Sequence, residues 1–141
     1  MDVTLITTFT SQKIFSYYWS PLIHKYGNDE FIIIDENKKV IIPMTGNCKI
    51  VTSIKDAINQ SSKNILFITD MESIPTYQTM TILENLNKNR NESLLPIWHD
   101  KEDVPNSFSV LKNQYNGETK KEYISKFKPT ELNLGSMYYV N

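Results

Sequence analysis

The chain offers few side chains of the type and spacing that enzymatic or metal chemistry requires. Cys48 is its only cysteine and has no evident partner base, and no G-x-S-x-G motif marks a serine nucleophile. His99 precedes Asp100, Glu102 and Asp103, but the chain lacks the paired histidine spacing that is typical of a metal site. Neither G-x-x-x-x-G-K-[ST] nor G-x-G-x-x-G occurs, which argues against a phosphate loop. We predict neither a metal site nor a bound cofactor.

Glu84 is the best candidate for a catalytic residue. It lies one and two helical turns after Met80 and Tyr77, on a segment that follows a strand-like run. A carboxylate there could face the cleft over the carboxyl ends of the strands, where shifted pKa values often mark function. An ordinary glutamate on the surface of a helix is the alternative, and the sequence leaves both open.

Short apolar runs alternate with amphipathic segments along the chain. Each run is too short for a helix and rich in Ile, Leu, Val, Phe or Thr, as buried parallel strands are. The predicted strands are Val3–Thr8, Phe31–Asp35, Ile65–Thr69 and Leu94–Trp98, with a further edge strand at 121–127. The predicted helices are 12–26, the stripe from Ile50 to Ile58, the stripe from Tyr77 to Leu86, and a short helix from Pro105 to Leu111.

This alternation predicts an α/β fold, with a flavodoxin-like doubly wound sheet of four to five parallel strands and helices on both faces. The 141 residues fit a single domain, and no linker or repeat divides residues 1–141. In such folds the functional groups lie at the carboxyl ends of the strands.

The composition excludes several classes of protein. The formal charge is -1 and the basic residues are scattered, so the chain lacks the footprint of a nucleic-acid-binding protein. No apolar run approaches the roughly 20 residues that span a bilayer, and the start lacks the basic segment of a signal peptide. A single cysteine suits a reducing compartment, so we expect a cytoplasmic protein without a membrane segment.

Residues 43–69, which read "PMTGNCKIVTSIKDAINQSSKNILFIT", resemble part of the Toll/interleukin-1 receptor (TIR) domain. In that family a loop with Pro-Gly, the BB loop, follows the second strand, and a helix and the third strand come next. "LLPIWHDKEDVPNSFSVL" at 94–111 resembles the family's (I/L)IPI strand and the segment after it, and "DVTLITTFT" at 2–10 resembles its first box. The resemblance covers roughly residues 2–115.

The chain departs from the family pattern at defined places. Pro43 and Gly46 are separated by two residues, whereas the family has an adjacent Pro-Gly. The helix after the third strand has no Trp-Cys. Glu84 matches the family's glutamate only with a three-residue insertion, because a direct count from Thr69 reaches Thr81. The family's aromatic Phe-Trp box is absent near the end of the chain, so residues 126–141 are atypical.

The resemblance implies two functions. As a signalling or scaffold domain, the chain would bind other TIR-domain proteins and form weak homo-oligomers through its BB-type loop, made of Pro43, Met44, Thr45, Gly46, Asn47, Cys48 and Lys49. As an NAD+ glycohydrolase, it would use Glu84 to promote cleavage of the nicotinamide glycosidic bond, with Phe9 lining the NAD+ cleft. The lack of Trp-Cys and the degenerate first box favour the first function. A receiver-type domain ranks last, because its acidic set at the strand ends is incomplete.

Overall fold

A computed structural model describes residues 1–41, 45–86, 107–119, 122 and 137–140, and its centre is a mostly parallel sheet. The strands are β1 (Val3–Thr8), β2 (Glu30–Ile34), β3 (Cys48–Val51), β4 (Ile65–Asp70), β5 (Ser73–Pro75), β6 (Ser107–Leu111) and β7 (Met137–Tyr139). Five of them form one sheet in the order β3-β2-β1-β4-β6, in which only β6 is antiparallel to its neighbour. β5 and β7 pair in a separate two-stranded antiparallel sheet. The described part of the chain has the α/β architecture that the alternating pattern predicts.

The helices are α1 (Gln12–Ile14), α2 (Ser20–Lys25), α3 (Ile54–Gln60) and α4 (Tyr77–Asn85), with a short 3-10 turn at Lys112–Gln114. A π-helical turn, Phe15–Trp19, joins α1 and α2 into one helix over most of the segment predicted at 12–26. Hydroxyl side chains cap three N-termini, where Ser11, Ser53 and Thr76 each accept a bond from the backbone N–H three residues on. These caps determine where the amphipathic stripes become helical.

Pro21 accounts for the π-helical turn. Proline has no backbone N–H, and in an α-helix its ring meets the carbonyl of the residue four positions earlier, here Tyr17. The wider turn avoids this conflict, because the N–H of Ser20 donates to the carbonyl of Phe15, five residues back. Phe15 and Trp19, the first and last residues of this turn, are both buried.

Alternate residues of the parallel strands build a core on each face of the sheet. On the first face, Leu5 and Phe31 pack with residues of the α1–α2 helix and of α4. On the second face, Ile6 and Ile32 pack with residues of α3 and β6. Because both faces are covered, the strands read as continuous apolar runs and could be recognised in the sequence.

The stripe from Ile50 to Ile58 is only partly a helix. Ile50 lies in β3 opposite Ile33 of β2, and α3 begins at Ile54, after the Ser53 cap. The apolar residues here are three and four positions apart, as in a helix. Residues 48–51 are nevertheless extended, because they pair with β2. The last two residues of the predicted BB-type loop therefore belong to a strand.

The short helix predicted from Pro105 to Leu111 is wrong, because Ser107–Leu111 is strand β6. Phe108 and Val110 are buried in the core of the second face, while Ser107 and Ser109 are buried on the first face. Successive side chains of this segment thus alternate between the two faces, as in a strand. The predicted strand Leu94–Trp98 lies outside the described residues, as does the predicted strand at 121–127 apart from residue 122.

We expect Trp19→Phe to lower the free energy of unfolding by roughly 2–3 kcal/mol. The buried indole N–H of Trp19 donates to the backbone carbonyl of Met71 over 2.8 Å, and phenylalanine removes this donor together with part of the ring volume. Urea unfolding measures the change. The matched control is Tyr17→Phe, at a side chain that is 70% exposed, which should shift stability by less than about 0.5 kcal/mol. Equal stability of Trp19→Phe and the unmodified protein would contradict this role of the indole.

Candidate functional site

The connection between β2 and β3, residues 35–47, includes most of the predicted BB-type loop. Because β2 and β3 are parallel, it must run back from the carboxyl edge of the sheet to the amino edge. It leaves β2 through a turn in which Asp35 is buried, with its carboxylate accepting from the N–H of Val40 (2.8 Å) and its carbonyl from the N–H of Lys38 (3.2 Å). Lys38 has a φ of 54°, the left-handed conformation that a tight turn of this kind uses.

Gln12 fixes the middle of this connection to the first helix. Its side-chain carbonyl accepts from the N–H of Ile41 (2.8 Å), and its amide donates to the carbonyl of Ile41 (3.0 Å) and to Ser16 Oγ (2.8 Å). The amide thus pairs with the Ile41 backbone as a neighbouring strand would. The Ile41 side chain remains 75% exposed, and Tyr17, next to Ser16, is 70% exposed. The first helix and the connection that this clamp joins thus each carry one large exposed side chain.

Asn47 fixes the far end of the connection. Its side-chain amide donates to the carbonyls of Ile23 (2.9 Å) and Tyr26 (3.1 Å), and its own carbonyl accepts from the N–H of Phe31 (2.9 Å). Carbonyls at the end of a helix have no partner within the helix, so Asn47 acts as a cap supplied by a distant segment. The connection is therefore anchored to the first helix at two points, Ile41 and Asn47.

The predicted loop residues occupy different environments. Pro43 and Met44 lie outside the described residues. Thr45 is half-buried, and Gly46 is exposed, where an added Cβ would meet no atom within 4 Å. Cys48 is half-buried at the start of β3 against the first core, and burial raises the pKa of its thiol to about 11. A thiol with that pKa stays protonated at neutral pH and is a poor nucleophile.

Gly46, Asn47 and Lys49 also line a cleft of about 250 Å³ at the amino edge of the sheet. The remaining lining residues are Asn28, Asp29, Glu30, Ser62 and Lys63. Glu30 is the centre of its hydrogen-bond network: the carboxylate accepts from Thr4 Oγ1 (2.6 Å), from Ser62 N and Oγ (both 2.8 Å) and from Lys49 Nζ (3.1 Å). These donors come from β1, from β3 and from the segment before β4, so one side chain ties three parts of the fold together.

Hydrogen bonding decides the charge state of Glu30. Burial alone would raise its pKa, but the bonds from Thr4, Ser62 and Lys49 outweigh burial and lower the pKa to about 2. Lys49 also donates to the carbonyl of Gln60 (3.0 Å). A carboxylate engaged by four donors has little capacity left for proton transfer, so its role in the described structure is to hold the cleft together.

Phe9 follows β1 at the opposite, carboxyl edge of the sheet. Its N–H donates to the carbonyl of Ile34 (2.8 Å), and its half-buried ring packs against the first core. Beside it, Thr10 Oγ1 donates to a carboxylate oxygen of Glu72 (2.7 Å), which links the ends of β1 and β4. The order β3-β2-β1-β4 reverses the direction of winding between β1 and β4, so Phe9 lies where ligands enter doubly wound sheets.

Glu84 lies on the exposed side of α4. The pKa of Tyr26 is raised mainly by burial and further by the negative charge of Glu84, which places this carboxylate near the end of α2. That position is at the amino edge of the sheet, because α2 returns the chain to the start of β2. The structure therefore does not bring Glu84 and Phe9 together, and their joint role in NAD+ cleavage stays a prediction.

Sequence reasoning missed two residues that organise this region, Gln12 and Glu30. Glu30 directly precedes the apolar run at 31–34, and a charge at the entry of a buried strand is a usable signal for a partly buried ion pair. Its partner Lys49 could be identified only after β3 was recognised as a strand. Gln12 gave no signal, since an amide near the start of a helix is usually solvated.

The described residues contain no group of three or more His, Cys, Asp or Glu side chains placed to hold a metal ion. The cluster led by His99 lies outside the ranges that the structure covers. In those same ranges no helix has the length and apolar character required to cross a membrane.

We predict that Glu30→Gln destabilises the protein by about 2 kcal/mol at pH 7, because the ionised acceptor of four bonds is lost. A folded-state pKa of about 2, below the ordinary 4.5, contributes stability that is complete above pH 4.5 and disappears as the pH falls to about 2. Urea unfolding between pH 2 and pH 7 should therefore show the two proteins converging in acid. The matched control is Glu36→Gln, on an exposed side chain. A stability difference that is the same at pH 2.5 and pH 7 would refute this assignment.

No protein-family model matches the chain, and comparisons with curated proteins and with solved structures gave no match either.

Proposed function

We propose that the chain is a signalling or scaffold domain of the TIR type, acting through homotypic contacts of one surface. We name this surface the docking surface and define it as Tyr17, Ile41 and the loop at 43–49. Ile41 is the observation that carries the proposal. Its backbone N–H and carbonyl are both hydrogen-bonded to the Gln12 side chain, while its own side chain is 75% exposed. An exposed apolar side chain on an already fixed backbone can be buried against a partner with little further ordering of the chain.

The physical basis of binding follows from this arrangement. Burying a side chain of this size is worth about 2 kcal/mol, and tyrosine is enriched in interfaces because it adds contact area at a low entropic cost. The clamps of Gln12 and Asn47 hold the backbone in advance, so less conformational entropy is lost when a partner binds. The exposed residues Glu36, Lys38 and Lys39 precede Ile41 and would supply a polar rim.

The finer fold assignment is part of the proposal. A flavodoxin-like sheet has the strand order 2-1-3-4-5. The neighbours β2-β1-β4, with helices on both faces, would be its first three strands, and β3 would be an extra edge strand. Antiparallel β6 stands next to β4 where the following parallel strand would belong, and the segment predicted for that strand, 94–98, lies outside the described residues.

The expected partners are other TIR-domain proteins, including a second copy of this chain, in weak association. Such an assembly requires an exposed patch on each copy and no catalytic residue. The mixed polar composition of the loop, with one methionine and one lysine, suits adaptable contacts.

We expect Ile41→Asp and Tyr17→Ala to weaken self-association at least tenfold, because each removes apolar area at the centre of the docking surface. Sedimentation equilibrium over a range of concentrations measures the dissociation constant. Gly46→Glu tests the loop itself, since a side chain there has open space and the fold should be kept. Tyr77→Ala is the matched control, at a side chain that is 75% exposed on α4. Unchanged association of all three docking-surface variants would refute the proposal, as would a protein that is monomeric at every concentration.

The alternative that the resemblance implies, NAD+ hydrolysis by Glu84, has less support. We expect no release of nicotinamide when the pure protein is incubated with NAD+ at a concentration that favours self-association. The reason is that the exposed Glu84 and the half-buried Phe9 stand at opposite edges of the sheet. Turnover in the unmodified protein that is lost in Glu84→Gln but kept in Asn85→Ala, at the next exposed residue of α4, would reverse this ranking.

A further inference from the structure

A row of hydroxyl side chains crosses the first face of the sheet at its carboxyl end. We name Thr7, Thr69, Ser107 and Ser109 of this sheet, together with the nearby Ser73 of β5, the hydroxyl row. Thr7 is directly opposite Thr69, and Thr69 is directly opposite Ser107, so three neighbouring strands contribute one hydroxyl each. Ser109 follows on the same face of β6, and the hydroxyl of Thr69 approaches the carbonyl of Ser73 at 3.4 Å.

The members of the hydroxyl row are almost completely buried. Their exposure is 3% or less, and four of the five hydroxyl oxygens have no hydrogen-bond partner among the described protein groups. These four belong to Thr7, Ser73, Ser107 and Ser109. Buried hydroxyls nearly always have a partner, because burial without one forfeits the bonds that water made in the unfolded chain. Several such groups on one face therefore call for a shared partner.

The spacing of the row decides what that partner can be. Adjacent strands lie about 4.8 Å apart, so Thr7 and Ser107, which are separated by β4, are roughly 10 Å apart and cannot bond directly. Thr69 makes only long contacts, at 3.4 Å to two carbonyls, and keeps acceptor capacity. Each hydroxyl can both donate and accept, and no charged side chain belongs to the row. Groups of this kind match water, which makes two to four hydrogen bonds at such sites.

We propose that the hydroxyl row binds a small cluster of ordered water molecules between the sheet and the segment formed by β5 and the start of α4. The waters bridge Thr7 and Ser107 and reach Ser73 of β5. In this way the segment that carries Ser73 is attached to the sheet by polar contacts, while Met80 and Leu83 of α4 attach it by apolar packing. The site is a polar binding site inside the protein, independent of the docking surface.

The sign of a stability change tests this proposal. Thr7→Val keeps the shape of the side chain and removes only the hydroxyl. If the hydroxyl binds water, the melting temperature should fall by several degrees; if the hydroxyl has no partner, its removal should raise the melting temperature. Thr8→Val is the matched control at the next residue, which is exposed, and should leave the melting temperature within about one degree. A rise in Thr7→Val would overturn the proposal.

A double-mutant cycle tests the sharing of water. Thr7→Val and Ser107→Ala, measured singly and together, should be non-additive, because the two residues are too far apart to interact without a bridge. Additive changes would overturn the proposal. A high-resolution crystal structure of the unmodified protein does not depend on the folding of any variant: water oxygens within 3.5 Å of the Thr7 and Ser107 hydroxyls support the proposal, and their absence there overturns it.

Discussion

Parallel pairing of β2 with β3 is the constraint on which the rest of this structure depends. Parallel neighbours cannot be joined by a tight turn, so residues 35–47 must cross from one edge of the sheet to the other. A connection of that kind has backbone groups that need partners. Here Gln12 of the first helix bonds both the N–H and the carbonyl of Ile41. At the other end of the connection, the side-chain amide of Asn47 donates to carbonyls at the end of the same helix. The proposed docking surface thus follows from the strand order. The bonds from Gln12 that satisfy the Ile41 backbone leave the Ile41 side chain exposed to solvent.

The same pairing creates the electrostatic centre at the amino edge. β3 brings Lys49 next to Glu30 of β2, while Thr4 and Ser62 complete the set of donors from neighbouring segments. Desolvation of a carboxylate is costly, and the network offsets that cost through several short bonds and an opposite charge. The cleft around Glu30 is therefore polar because the fold requires these contacts, and its lining residues already serve one another. The cleft therefore gives no support for acid–base chemistry by Glu30, and partner binding at the 43–49 loop remains our proposal.

The first face of the sheet shows a second combination of apolar and polar contacts. Its centre is apolar and aromatic, and Phe15 and Trp19 of the π-helical turn are buried in it. Towards the carboxyl edge the apolar side chains give way to the hydroxyl row and to the bond from Trp19 to the Met71 carbonyl. The segment after β4 is consequently held by directional bonds as well as by packing. Directional bonds specify one position for that segment, whereas apolar contacts alone would tolerate sliding.

Local pattern was sufficient for part of this protein. The strands β1, β2 and β4 and the helices α1–α2 and α4 follow from the sequence, because buried parallel strands are continuously apolar and the helices have caps and regular stripes. Strands β3 and β6 did not follow, because Ile50 also fits helical spacing and Pro105 is a typical helix start. Only pairing with β2 and β4 selects the extended form. The sequence singled out Gly46, Asn47 and Lys49, yet their surroundings depend on contacts with residues as distant as Ile23 and Ser62.

Composition and periodicity determine which segments are buried. Which distant side chains meet, and hence the Gln12 clamp, the Glu30 network and the hydroxyl row, is decided by strand order and register, because those contacts join residues far apart in the chain.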